Sequence, residues 1–153
     1  FDLNHIQGST RYKTSIGLFY DGEMVSCMLF HRPKKDHELV RFCNKINTSV
    51  IGSASKLFKY YIDNYDVGVI TSFADASMFG GGVYEKLGFD FVYRTKPNYW
   101  WVVDGIRKHR FNFSKSKLIK QGFDPDKTEV EIMHDRGFYR VYGCGLDKWV
   151  WSR

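Results

Sequence analysis

Apolar and polar positions first organise over SIGLFYDGEMVSCMLFH, residues 15–31, where two apolar, β-rich runs flank Asp21-Gly22. That pair supplies the positive φ angles of a tight turn, so the pattern predicts a β-hairpin. HELVRFC, about 37–43, predicts a third strand with Leu39 and Phe42 inward and Glu38 and Arg41 at polar positions. After the polar NKINTS the period lengthens: Ile51, Leu57, Phe58, Tyr61 and Ile62 fall near helical spacing and predict a helix over about 50–64. VGVITSF, residues 67–73, is a continuous apolar run of the kind that suits a strand buried on both faces. Gly80-Gly81-Gly82 then precedes a short helix, VYEKLG, with Gly88 as its C′ stop, and FDFVY continues as a strand. The order β-β-β-α-β-α-β predicts the α/β (α+β) class, built on a central sheet.

The second half is patterned differently. NYWWVVDGIRKHRFN predicts a second hairpin about Asp104-Gly105. Two short helices follow, one over about 114–121 capped by Ser114, the other over about 126–135 with Asp126 as cap and Glu129 at capping-box spacing. FYRVYGCGLDKWVW reads as two strands joined by a glycine-containing turn. No repeat or linker interrupts the chain. The expected organisation is one domain over 1–153, with a core to about 95 and an elaboration over about 96–153.

Length and composition narrow the class. The 153 residues, 18 % aromatic and 43 % hydrophobic, suffice for a single buried core and argue against disorder. No apolar run approaches the roughly 18–20 residues of a membrane span, and no signal-peptide pattern opens the chain. Phe1 rather than Met comes first, which leaves room for a neighbouring domain upstream. Cys27, Cys43 and Cys144 form no C-x-x-C pair and read as buried thiols in a reducing compartment. The five histidines show no H-E-x-x-H spacing, so no metal is expected.

Charge changes the picture most. RTKPNYWWVVDGIRKHRFNFSKSKLIK, residues 94–120, holds eight Lys or Arg and one acid, a net +7, whereas the whole chain is only +6. A surplus so localised suggests a polyanionic partner. Arg94, Lys96, Arg107, Lys108, Arg110, Lys115, Lys117 and Lys120 could neutralise phosphates, Ser114 and the amides beside it could take one directly, and Tyr99, Trp100, Trp101, Phe111 and Phe113 could stack on bases. The same residues also admit a plainer reading, in which the cations form a solvated face and the aromatics are core.

TSVIGSASKLFKYY, residues 48–61, places small residues where a strand gives way to a helix. Backbone amides at such a helix start can bind a pyrophosphate, although many ordinary helices begin with Gly and Ser. Together with GGVYEKLGFDFVY, residues 81–93, this stretch resembles the GNAT family of N-acetyltransferases. That family carries a Q/R-x-x-G-x-G/A loop that grips the acyl-CoA pyrophosphate and a later element reading like YxKLGF. Ser49-Val50-Ile51-Gly52-Ser53-Ala54 matches the loop in its Gly and Ala, with Ser49 in place of Gln or Arg, and Tyr84 to Phe89 matches the second element. The resemblance implies a mixed, mostly antiparallel sheet flanked by helices, with residues 96–153 as a basic hairpin, two-helix and strand elaboration. It also implies that Val50, Gly52, Ser53 and Ala54 hold acetyl-CoA, that Tyr84 returns a proton to the CoA thiolate, and that Glu38 is the base for the amine. Taken alone, Tyr84 is equally a half-buried helix aromatic and Glu38 a solvated strand residue.

A wider resemblance joins NHIQG (4–8), LVRFCNKINTSVIGSASKLFKYYI (39–62), VYEKLGF (83–89), KPNYWWV (96–102) and HRFNFSKSKLIKQGFDP (109–125). These segments resemble a GNAT-like module found attached to homing-endonuclease-type proteins of bacteriophages. That likeness implies a DNA-recognition module in the cytoplasm of an infected host. Its partners would be DNA and an attached nuclease domain, with no cofactor required for binding and no membrane involved. No GIY-YIG or HNH cluster lies in these residues, so the cutting chemistry would belong elsewhere. The expected function is therefore DNA binding, and the alternative is an acyl-CoA-dependent N-acyltransferase.

Overall fold

The structure is a computed structural model that describes residues 3–5, 7–31 and 36–153. Asp21 and Gly22 both adopt positive φ, 50° and 77°, and close strand β1 (Thr14–Tyr20) on β2 (Glu23–His31) as the hairpin pattern requires. Strand β3 (His37–Asn44) pairs antiparallel with β2. The chain then forms α1 (Ser53–Asn64), β4 (Val69–Asp75), the short helix α2 (Gly82–Lys86) and β5 (Asp90–Arg94). After a long excursion it returns as β9 (Leu146–Ser152), which inserts between β4 and β5. The six-stranded sheet has the order β1-β2-β3-β4-β9-β5, with β3–β4 its one parallel pair. This is the mixed, mostly antiparallel α+β architecture that the sequence predicts.

Compactness divides the chain into two units, residues 1–95 with 146–153, and residues 96–145. In the first, α1 lays Leu57, Phe58 and Tyr61 against Met28, Phe30, Leu39 and Ile70 of the sheet. Phe30 and Tyr61 stack with ring centroids 3.5 Å apart, and the Tyr61 hydroxyl meets His37 Nδ1 at 2.8 Å. Ile51, expected on the helix's inner face, instead precedes the helix and is 93 % exposed. Strand β4 is not buried on both faces: Ile70, Ser72 and Ala74 are buried while Val69 and Phe73 are exposed. Arg94 of β5 grips Asp147 of β9 in a bidentate pair, Nε to Oδ1 at 2.6 Å and Nη2 to Oδ2 at 2.9 Å. That contact ties the edge strand to its neighbour.

The second unit holds β6 (Tyr99–Val103), β7 (Ile106–His109), a 3-10 turn (Arg110–Phe113), α3 (Lys115–Lys120), α4 (Glu129–Asp135) and β8 (Tyr139–Tyr142). Its three-stranded sheet runs β7-β6-β8, so the two C-terminal strands are not a hairpin; β8 and β9 belong to different sheets. Trp101 is fully buried with Val103, Leu118, Ile132 and Met133, and Phe113 packs against them. Glu129 Oε1 accepts from the Tyr99 hydroxyl and from Trp101 Nε1, both at 2.9 Å. Glu129 is thus turned inward, and the cap of α4 is Thr128 rather than Asp126. Thr128 Oγ1 accepts from Glu131 N at 3.2 Å, and Glu131 Oε2 accepts from Thr128 N at 2.7 Å. Thr128→Ala removes half of this box and is expected to destabilise the second unit by about 1 kcal/mol in chemical denaturation. Asp126→Ala, by contrast, should be nearly neutral.

Among the described residues no helix is long and apolar enough to cross a membrane. The three cysteines are free; Cys27 is buried, but Cys144 is exposed, against the expectation of buried thiols.

Candidate active site

Strands β3 and β4 run together for only three residue pairs, His37–Ile70, Glu38–Thr71 and Leu39–Ser72. Beyond Leu39 the pairing stops. At the same point β3 carries a bulge: Leu29 faces Arg41 and Phe30 faces Leu39, which leaves Val40 as the extra residue. A bulge residue has no ladder partner, so the strand bends and a peptide group is freed. Between the parted strands lies a cleft of about 280 Å³, bordered by Val40, Arg41, Phe73, Asp75, the glycine run and Tyr84.

Tyr84 reaches this cleft because of how α2 begins and ends. Gly81 caps the helix with φ 81°, and Gly88 at φ 80° ends it, where Phe89 N donates back to the Tyr84 carbonyl at 2.9 Å. The Tyr84 ring stacks on Trp149 of β9 and meets Phe89 edge-on. Its hydroxyl lies 3.0 Å from Ser72 Oγ, and Ser72 in turn donates to the Leu39 carbonyl at 2.7 Å. The Ser72 hydroxyl is shared between the Leu39 carbonyl and the Tyr84 oxygen, both acceptors, so the Tyr84 proton is not committed to Ser72. Burial pushes the Tyr84 pKa above the usual tyrosine value, against the opposing pull of Ser72 and the Arg41 charge. Tyr84 is therefore a neutral hydroxyl with a transferable proton across the physiological range.

A second cavity, about 220 Å³, opens at the start of α1 and is bordered by Asn44, Val50, Gly52, Ser53, Ala54, Ser55 and Lys86. Phe42, Val83 and Leu87 border both cavities and so form a shared apolar wall. Helix α1 starts at Gly52 with φ 72°, has no capping side chain and carries no acid in its first turn. Ser53 N goes to the Val50 carbonyl, and Ser53 Oγ donates to Asn44 Oδ1 at 3.0 Å. The amides of Ala54 and Ser55 remain, as at any helix start, without an intrahelical acceptor. A Cβ on Gly52 would meet nothing within 4 Å, so the approach to these amides is open.

Val50, Gly52, Ser53 and Ala54 are thus gathered at one cavity and Tyr84 at the other. Glu38 stands half-buried on β3, outside the cleft lining and within electrostatic reach of Arg41. The expected basic residues border neither cavity. Arg94 lies in the first unit, bound to Asp147, whereas Lys96 to Lys120 lie in the second. There Arg107 covers Trp100, Arg110 covers Tyr99 and Phe111, Lys117 Nζ donates to the Phe111 carbonyl, and Lys108 lies 3.9 Å from Asp104. Ser114 caps α3 and touches Ser116 Oγ, and Lys115 and Lys120 are exposed. The motif reading overlooked Arg41, Ser72 and the Val40 bulge. A serine in an apolar run and an arginine beside apolar strand residues were the available signals.

No family model matches the sequence, and no curated protein matches it. Solved structures do resemble the fold. A Bacillus subtilis acetyltransferase in complex with CoA superposes with a TM-score of 0.53 at 12 % identity, over 91 % of this chain and 76 % of that one. A GNAT family acetyltransferase from Elizabethkingia anophelis with acetyl-CoA bound gives 0.52 at 14 %, over 88 % and 72 %. The ribosomal-protein-S18-alanine N-acetyltransferase from Escherichia coli gives 0.50 at 19 %, over 65 % and 66 %. These likenesses overturn the expectation of a DNA-binding module: these solved structures, whose fold this chain shares, are acetyltransferases. The narrower likeness to a phage homing-endonuclease module, with its nuclease partner and infected host, likewise finds no support. The chain has the fold of the GNAT acetyltransferases.

Proposed function

We propose that the protein is an acyl-CoA-dependent N-acyltransferase. The observation that carries this reading is the pair of cavities with a common apolar wall, one ending at the open start of α1 and the other at the Tyr84 hydroxyl. The residues present fit a CoA thioester. The first-turn amides and the α1 dipole suit a pyrophosphate, no carboxylate of that turn opposes it, and Lys86 borders the same cavity. Phe42, Val83 and Leu87 suit the uncharged arm of the molecule. When bound, an acyl-CoA supplies a thioester carbon open to attack by an amine.

The chain's own residues supply the rest. The Val40 peptide, freed by the bulge, is placed to donate to a carbonyl oxygen as charge develops there. Tyr84, neutral and inside the cleft, gives its proton to the departing sulfur. Glu38 is the candidate base, acting through a bridging water because it does not border the cleft itself.

Acetyl-CoA at millimolar concentration should raise the melting temperature of the purified protein, and free thiol should appear when amines are added. A melting temperature unmoved by acetyl-CoA would remove this reading. Ser55→Glu sharpens the test, because its two effects have opposite signs. An acid in the first turn favours the helix, so the protein stays folded. The same charge faces the pyrophosphate and should weaken acetyl-CoA binding about tenfold or more, since like charges a few ångströms apart repel by roughly 1–4 kcal/mol near a surface.

A further inference from the structure

We propose that Arg41 is a carboxylate-binding subsite of the cleft, so that either the acceptor amine or the transferred acyl group carries a carboxylate held beside Tyr84. This rests on the acyltransferase reading and narrows its substrate class.

Arg41 sits half-buried on β3, next to the bulge and between Val40 and Phe42. Its guanidinium borders the cleft that Tyr84 enters, near enough to act on the Tyr84 charge, on Glu38 and on His5. Nη1 donates to the Val40 carbonyl at 2.7 Å and Nε to the Gly8 carbonyl at 3.4 Å. Both acceptors are neutral. They hold part of the fork in place and leave Nη2 uncommitted among the described residues. No carboxylate lies within 4.0 Å of Arg41 among those residues, whereas Arg94 of the same chain is paired bidentately with Asp147.

A cation taken partly out of water with no anion in contact is costly, and burial is the main influence lowering the Arg41 pKa, with Tyr84 and Glu38 opposing it. The cost is recovered if a ligand brings the anion. A guanidinium edge matches the two oxygens of a carboxylate, which is small enough to share this cleft with a reacting amine. Asp75 also borders the cleft, and one of its oxygens is occupied by Ser77 N and Oγ at 3.0 and 2.6 Å. Asp75 forms no ion pair with Arg41, and it gives the cleft a second charge suited to an amine-bearing substrate.

Two arms distinguish the sources of the carboxylate. In one, acetyl-CoA is the donor and α-amino acids are compared with their carboxamides. In the other, succinyl-CoA is compared with acetyl-CoA, by thermal stabilisation as well as by turnover. One arm should show at least a tenfold preference for the carboxylate. Arg41→Gln should abolish that preference through KM or stabilisation, the carboxylate compound losing at least tenfold more than the neutral one, and Arg41→Lys should keep part of it. The proposal is overturned if acetyl-CoA stabilises the protein but neither arm discriminates. It is equally overturned if the preference survives in Arg41→Gln, or if charged and neutral compounds lose alike, which would make Arg41 only a clamp on the Val40 bulge. Absence of stabilisation by any acyl-CoA would instead remove the acyltransferase reading itself, and this inference with it.

Discussion

Tyr84→Phe should lower kcat for acyl transfer by about 100- to 1,000-fold while leaving acetyl-CoA binding within about threefold, the loss expected when a positioned general acid is removed. The substitution is clean. Ser72 keeps its bond to the Leu39 carbonyl, so losing the Tyr84 hydroxyl strands no donor, and the ring retains its stacking on Trp149. The pH dependence gives an independent check. Burial, the largest influence, disfavours tyrosinate and raises the Tyr84 pKa. Its proton is therefore held through the ordinary tyrosine value of about 10, and the alkaline fall in wild-type kcat lies above that value. In Tyr84→Phe this fall should vanish. Stability follows the same sign: the unfolded tyrosine ionises before the folded one, so the wild type loses stability as pH rises through the folded pKa. A variant retaining more than about a third of wild-type kcat would show that another group protonates the thiolate.

The residues that could be read from the sequence are those whose geometry is set by near neighbours. Asp21-Gly22 and Asp104-Gly105 declare hairpins because only a few residue types accept positive φ, and both pairs adopt it. Gly88 declares the end of α2 for the same reason. The start of α1 was legible too, as small residues before an apolar period, and the cavity at Val50 to Ser55 confirms that these residues share a surface.

What could not be read depends on distant parts of the chain. Asp126 and Thr128 each precede an acid by three residues, and local rules do not choose between them. The choice is made by Tyr99 and Trp101, which draw Glu129 inward. Strand β9 looked like the partner of β8 because they are adjacent in sequence, yet it fills the gap between β4 and β5. That gap is what places Trp149 beneath Tyr84. Apolar content made β4 look doubly buried, but Phe73 faces the cleft because β3 has turned away from it. The charge run misled for a related reason. Its aromatics read as stacking surfaces, and several serve instead as core or as rings covered by Arg107 and Arg110, two of the arginines expected to bind outward.

The Gly80-Gly81-Gly82 run gives a test of long-range packing within one short stretch. Gly81→Ala should destabilise the protein by about 2–6 kcal/mol, from roughly 1–3 kcal/mol for an alanine held at positive φ and about 1–3 kcal/mol for overpacking. Both causes are present. Gly81 has φ 81°, and a Cβ there would fall 2.2 Å from Trp149 Cζ2. The indole cannot swing away freely, since Tyr84 stacks on it and Phe91 meets it edge-on, each with ring centroids 5.6 Å distant. The melting temperature should fall by about 4–24 °C, at roughly 2–4 °C per kcal/mol for a chain of this size. The damage also reaches the cleft, because the Gly81 carbonyl accepts from Tyr84 N at 2.8 Å and any shift of that turn moves the Tyr84 hydroxyl. Gly82→Ala is the matched control. A Cβ at Gly82 meets nothing within 4 Å and its φ is not positive, so alanine there should be neutral or should stabilise the helix start by up to about 1 kcal/mol. Two melting curves decide the matter. If Gly81→Ala melts within about 2 °C of wild type, or Gly82→Ala falls as far as Gly81→Ala, then Trp149 does not stand where it can support Tyr84, and the cleft loses its floor.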